Sequence, residues 1–276
     1  MSSPATIRRG YADMTLGQLH YRYCGNSSAP VLVLLHQAPS HSVMYEAMMP
    51  LLCGQFFCIA PDLPGCGQSD ALNDYRIEAI AASIAATLNA EFKLAARPLY
   101  LFGHHTGASV AAELVAYHWP QAAALVLSGP PLLSAAQQLQ LQRFNLPAKA
   151  EDSGQFLTEL WHFIRNKDQS VALSVSLRES LSALQLAQGY PALYRAVVSH
   201  NFATALAQIN CPTLLFAGQR DALRTALPAS QALLRHAEVA DIGDFGTYVC
   251  EQAAAQVSQL IIDFCLRSSV DGSGTS

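Results

Sequence analysis

The chain has 276 residues, 51% of them hydrophobic and only 13% charged, with 16 Lys and Arg against 20 Asp and Glu for a net charge of −4. That length suits one α/β domain carrying an insertion, and without a basic stripe the chain lacks the electrostatic footprint of a nucleic-acid binder. The opening MSSPATIRRG has no apolar core, so no export signal is expected, and runs such as Val31–Leu35 are too short for a bilayer; a cytoplasmic protein without a membrane partner is predicted.

In chain order, residues 17–25 alternate like a half-buried strand ending at Gly25-Asn26. Residues 30–37 (PVLVLLHQ) form a continuous apolar run, as a strand covered on both faces should; residues 55–62, 98–104, 123–131 and 211–221 repeat the form, and 237–244 is its weakest version. Between them the spacing predicts helices over 42–53, 77–92, 106–119, 228–236 and 251–266. The last of these places Ala254, Val257, Leu260, Ile261 and Phe264 on one stripe. Such alternation predicts an α/β fold with a mostly parallel central sheet and helices on both faces. Residues 132–208 break it, with amphipathic pieces and no strand, and are read as a helical cap inserted into a core made of 1–131 and 209–276. The small, polar tail SSVDGSGTS is expected to fray.

Seven cysteines (Cys24, Cys53, Cys58, Cys66, Cys211, Cys250 and Cys265) are scattered, with no Cys-x-x-Cys spacing. Reduced thiols are therefore expected, not zinc ligands or disulfides.

Three stretches carry a resemblance. His36-Gln37-Ala38-Pro39 follows an apolar strand, Asp62-Leu63-Pro64-Gly65-Cys66-Gly67-Gln68-Ser69-Asp70 follows the next, and Gly103-His104-His105-Thr106-Gly107 joins a strand to a helix. In this order they resemble, over nearly the whole chain, the α/β-hydrolase superfamily, with its His-Gly-x-Pro turn, its Asp-x-x-Gly-x-Gly-x-Ser turn and its Gly-x-Ser-x-Gly elbow. The resemblance implies the α/β-hydrolase fold, an oxyanion hole from the backbone N–H groups of Ala38 and Thr106, and a triad acid at Asp221 in Gly218-Gln219-Arg220-Asp221. Read by itself, Asp221 is also a helix cap ahead of the following segment. Gln37 stands where the family has a glycine.

The chain departs from the family's triad twice. His105 occupies the serine position, and counting back from Glu251-Gln252 puts Gly246 where the histidine belongs. An imidazole is much longer than a hydroxymethyl group, and deleting the ring at 246 is expected to leave the space His105 needs to reach Asp221, directly or through a water. A His–Asp pair suits general base catalysis, because an imidazole titrates near neutral pH. Activated water would then attack a small, largely apolar ester, lactone or related carbonyl compound; alternatively His105 itself attacks. A cofactor-free lyase or isomerase using His105 as base, or a ligand-binding homologue without chemistry, are the other readings. No cofactor and no metal are expected.

Around this pair, His36, Gln37, His41, His104 and Gly246 are the candidates for lining the pocket. A metal set of His104, His105 and Asp221 is disfavoured, since adjacent histidines in a tight turn are expected to point apart. Ser128 lacks a glycine frame and reads as a strand-end hydroxyl, while Cys66 reads as a filler residue or a reactive thiol. In the cap, Trp161 is expected to pack, and His162 and His200 to pack or face solvent.

Overall fold

The computed structural model describes residues 6–142 and 151–271. At its centre is an eight-stranded sheet in the order β1-β2-β4-β3-β5-β6-β7-β8. The strands are β1 (Arg8–Asp13), β2 (Gln18–Cys24), β3 (Val31–Leu35), β4 (Phe57–Pro61), β5 (Leu99–His104), β6 (Ala124–Ser128), β7 (Thr213–Phe216) and β8 (Ala237–Ala240). From β4 to β8 all neighbours are parallel, whereas at one edge β1 pairs antiparallel with β2 and β2 antiparallel with β4.

The helices are α1 (Met49–Leu52), α2 (Ile77–Phe92), α3 (Thr106–Glu113), α4 (Ala135–Gln142), α5 (Gln155–Arg165), α6 (Leu173–Leu186), α7 (Gly189–Ser199), α8 (Phe202–Gln208), α9 (Leu227–Leu233), α10 (Val249–Gln252) and α11 (Ala254–Asp271). Helices α4 to α8 all fall between β6 and β7, where the sequence lacked strands.

Side-chain alternation along the strands splits the core in two. Val31, Val33 and Leu35 of β3 join Ile80 and Ile84 of α2 and Val110 of α3 on one face. Leu32 and Leu34 join Met49, Leu52, Val257 and Ile261 on the other. Each such fully buried aliphatic side chain contributes about 1.5–3 kcal/mol from water exclusion. The fold is thus the doubly covered, mostly parallel sheet that the apolar runs predicted.

The structure departs from the predicted elements in a few places. Strand β1 escaped the sequence reading because five of its six residues are not buried, so no apolar run marks it. The helix predicted over 42–53 is a 3₁₀ turn at Ser42–Tyr45 followed by α1. Pro50 explains the break, since it has no N–H to continue a helix but fits the first turn of a new one. The helix predicted over 106–119 stays α-helical to Glu113 and then widens into a π turn at Leu114–His118. Part of the tail expected to fray continues α11 to Asp271, and residues 272–276 lie outside the described residues. Among the described residues, no helix is long and apolar enough to cross a membrane.

Register places the site. Leu35 lies opposite Gly103, His104 opposite Ser128, and Ser128 opposite Phe216. The loops after β3, β5, β6 and β7 therefore leave the sheet along one edge, at the carboxyl ends of its strands. There α3 presses against the sheet so closely that a Cβ on Gly107 would stand 1.9 Å from the carbonyl oxygen of Leu35. Gly107→Ala should destabilise the protein by about 3 kcal/mol or more. Gly54→Ala, in open space, should stay within about 0.5 kcal/mol of the parent; denaturant unfolding of the two variants checks the contrast.

Candidate active site

The turn between β5 and α3 holds His105 at φ 51° and ψ −112°, a conformation that L residues rarely adopt. Two features hold it there. The His105 N–H donates to the Ser128 carbonyl at 2.9 Å, and its own carbonyl accepts from Ala108 N–H at 2.8 Å as α3 begins. The side chain is thereby carried above the strand ends, 19% exposed.

From that position the His105 Nε2–H donates to Asp221 Oδ2 at 2.7 Å, with no intervening water needed. Asp221 follows β7 and has a side chain wholly closed off from solvent. Its second oxygen accepts from the Leu223 N–H at 2.8 Å. The carboxylate thus orients the ring and braces the local turn at once, one oxygen for each task. Burial alone would raise the Asp221 carboxyl, but the adjacent His105 charge, the hydrogen bond from its ring and the Leu223 N–H outweigh it and bring the group down to about 2.

Room for the ring comes from an unexpected residue. A Cβ on Gly129, just past β6 and at φ +58°, would sit 2.4 Å from His105 Cδ2 and 2.5 Å from Nε2, so only glycine fits beside the imidazole. The sequence reading assigned that role to Gly246, and the structure corrects it. A Cβ on Gly246 would instead stand 2.3 Å from Asp168 Oδ2. Asp168 follows α5 and is buried, with Oδ1 accepting from Ser170 N–H at 2.9 Å, Ser170 Oγ at 2.6 Å and Arg220 Nη1 at 3.2 Å. A carboxylate from the helical segment is thus what stands nearest to Gly246.

The remaining histidines do other work. His104 is fully buried beneath His105, the ring centroids 4.3 Å apart, so the two neighbouring rings do not point apart as expected. Its Nε2–H donates to the Thr247 carbonyl at 2.7 Å, which leaves Nδ1 to accept from Ser128 Oγ at 2.9 Å. Both nitrogens are committed, which argues against His104 as a metal ligand. Burial first, and His105 beside it second, hold its pKa down to about 3, so it is a neutral support under the His105 ring.

His36 is buried too: its Nδ1–H donates to the Gln37 carbonyl at 2.8 Å, and Nε2 accepts the Leu63 N–H at 2.8 Å, tying the first turn to the second. His41 lies over Asp62, 4.0 Å from its carboxylate, and burial lowers its pKa to about 4. Burial pushes the Cys66 thiol far up, which removes the reactive-thiol reading. In the helical segment, His200 is buried against Glu113 at 3.0 Å, while His162 is exposed.

A cavity of about 360 Å³ opens over His105, Asp221, Ala38 and Thr106. Of the five lining candidates from the sequence only Gln37 faces it; His36, His41, His104 and Gly246 do not. The walls are largely apolar, including Pro131, Leu133, Leu141, Phe163, Val197 and Leu223. Lys167, Tyr194, Arg220 and Thr247 also line it, and the sequence reading singled out none of them. Lys167 and Tyr194 belong to the helical segment, where motif spacing gives no guide to which side chains face inward. The Ala38 N–H points at Thr106 Oγ1 over a long 3.4 Å. Thr106 opens α3, whose first N–H groups have no partner within the helix. Ala38 and Thr106 both line the cavity that holds His105.

The general pattern of the alpha/beta hydrolase fold matches residues 30–254. The chain belongs to the α/β-hydrolase fold family. Among curated proteins, this α/β-hydrolase is 45% identical over 56 residues to an uncharacterized hydrolase of Saccharomyces cerevisiae, YNR064C, covering 20% of this chain and 19% of that one. The curated relatives it matches are aligned over between 18% and 31% of their own lengths. Likeness in shape extends much further. The epoxide hydrolase CorEH superposes with a TM-score of 0.77 at 19% identity, covering 94% of this chain and 98% of that one. An esterase from Thermogutta terrifontis gives 0.75 at 21% identity, covering 95% and 99%. At those identities the likeness is one of fold.

The electrostatics of the pair have a measurable consequence. Asp221 is depressed from 3.8 to about 2, so its ionised form stabilises the fold fully above the ordinary carboxylate range, and that contribution is lost as pH falls through about 2. In His105→Ala the main opposing influence disappears and burial dominates. The Asp221 carboxyl should then titrate at clearly higher pH in ¹³C NMR, and an unmoved midpoint would contradict the coupling.

Proposed function

We propose that this α/β-hydrolase hydrolyses small, largely apolar carboxylic esters or lactones, with His105 as general base and Asp221 as the acid that orients it. The single observation carrying this reading is the 2.7 Å contact between His105 Nε2 and Asp221 Oδ2 at the floor of the cavity. A ring that merely walled a binding site would not need a buried carboxylate to fix its tautomer. Here the carboxylate accepts the hydrogen bond from Nε2–H, which leaves the lone pair of the neutral ring on Nδ1.

The steps follow from that tautomer. A water donates its proton to Nδ1 while its oxygen attacks the carbonyl carbon. The carbonyl oxygen gains the negative charge, and in this reading the N–H groups of Ala38 and Thr106 donate to it. When the tetrahedral species collapses, the C–O bond to the leaving alkoxide breaks, and Nδ1–H returns the proton to that oxygen. The imidazolium formed between these steps is stabilised by Asp221. Every step uses groups of the chain and water.

Water activation is favoured over direct attack by His105 on steric grounds. Nδ1 is bonded to the ring carbon that carries Cβ, so an approaching carbonyl would crowd the backbone at residue 105, whereas a water molecule fits. The helical segment α4 to α8 acts in this reading as the cap that supplies the apolar wall.

With 4-nitrophenyl acetate, 4-nitrophenyl butyrate and δ-valerolactone as substrates, His105→Ala should lower kcat/KM by about 10² to 10⁴-fold. The wild-type rate should rise with pH through one ionisation that is missing in the variant. No acyl-protein should accumulate in rapid-quench mass spectrometry, and its appearance would transfer the role of His105 from base to nucleophile. Equal rates in wild type and variant would leave a ligand-binding protein in place of an enzyme.

A further inference from the structure

Among the described residues, one positive charge on the cavity wall has no counter-charge. Lys167 lies at the foot of α5 and reaches the same cavity as His105. Its Nζ donates to Tyr190 Oη at 2.8 Å and to Tyr194 Oη at 3.2 Å. The rings of Phe163, Tyr190 and Tyr194 surround it, their centroids 5.3, 5.5 and 5.8 Å away. These contacts fix the ammonium in place. They do not neutralise it, since burial pushes the Tyr190 phenol well above its ordinary range and keeps it protonated. Among the described residues no carboxylate oxygen comes within 4.0 Å of Lys167 Nζ.

The nearby acids are otherwise engaged. Asp168, next in sequence, accepts from Ser170 and Arg220. Asp221 holds His105 at 2.7 Å. Arg220, the other cation on the cavity wall, is matched by Asp168 at 3.2 Å and Asp244 at 2.8 Å. An ammonium has three N–H donors, and the two phenol oxygens account for two. Holding such a group partly out of water is costly unless an anion answers it.

We propose that Lys167 is a specificity-determining residue that receives a carboxylate carried by the substrate, so that the compounds this cavity prefers are half-esters of dicarboxylic acids. The apolar wall takes the methylene chain, the ester lies at His105, and the free carboxylate meets Lys167. Which end reacts rests on the hydrolytic reading above; the seat for the carboxylate does not.

The two parts separate experimentally. Binding is measured by calorimetry on His105→Ala, so that esters stay intact, with the monomethyl esters of succinic, glutaric and adipic acid set against their dimethyl esters. At least one monoanion should bind about tenfold or more tightly than its neutral diester, as a charge-assisted hydrogen bond would give. Adding Lys167→Gln should remove that preference, Lys167→Arg should largely keep it, and Arg220→Gln should leave it standing. Equal affinity for every charged and neutral pair, or no binding of any monoanion, overturns the inference. A preference that survives Lys167→Gln or vanishes in Arg220→Gln overturns the assignment to Lys167. If Lys167→Gln does not fold, the comparison of charged and neutral ligands still decides whether the cavity selects an anion. Wild-type turnover of the same esters judges the hydrolytic reading by itself: a monoanion that binds but is never cleaved sinks hydrolysis and leaves the carboxylate seat, whereas His105-dependent cleavage without charge preference does the reverse.

Discussion

The arrangement depends on a buried carboxylate gripping an imidazole across the ends of three neighbouring parallel strands. Asp221 follows β7, His105 follows β5, and Gly129 follows β6 between them. Parallel register brings the three strand ends level, a few ångströms separate adjacent strands, and one glycine on the middle strand lets the ring pass over it. Had any residue with a side chain followed β6 at position 129, the 2.7 Å contact would be sterically closed. The left-handed turn at His105 is the strained element, and the hydrogen bond from its N–H to Ser128 ties that strain to the same middle strand.

Beneath the contact lies a second layer that never reaches the cavity. His104 is neutral, buried and bonded through both nitrogens to Ser128 and Thr247. It links the end of β6 to the loop ahead of α10, directly under the His105 ring. His36 does the same for the turns after β3 and β4 by way of Gln37 and Leu63. These imidazoles act as two-ended polar connectors where backbone groups would otherwise be buried without partners. Adjacent histidines in one turn thus serve opposite purposes, the difference set by which face of the strand each side chain takes.

Much of this was legible in the sequence, and what was not has a physical reason. The strands from β3 onward announced themselves as continuous apolar runs because both of their faces are covered. The turn at 103–107 was readable from two glycines at fixed spacing, and Asp221 from its place after an apolar strand. Strand β1 was missed because an exposed edge needs few apolar residues. The neighbour that accommodates His105 was misplaced for a different reason. Gly129 and His105 meet only through sheet register, a relation between strands that no local pattern encodes. Lys167, which faces the cavity, and Asp168, which packs against Gly246, were silent for the same cause, since what a helical segment presents depends on how it lies over the strand ends.

The carboxylate beside Gly246 also limits what that position can carry. A Cβ there would stand 2.3 Å from Asp168 Oδ2, so any side chain at 246 is driven into an already occupied corner. Asp168 follows α5, so two remote parts of the chain must change together before position 246 can accept a ring.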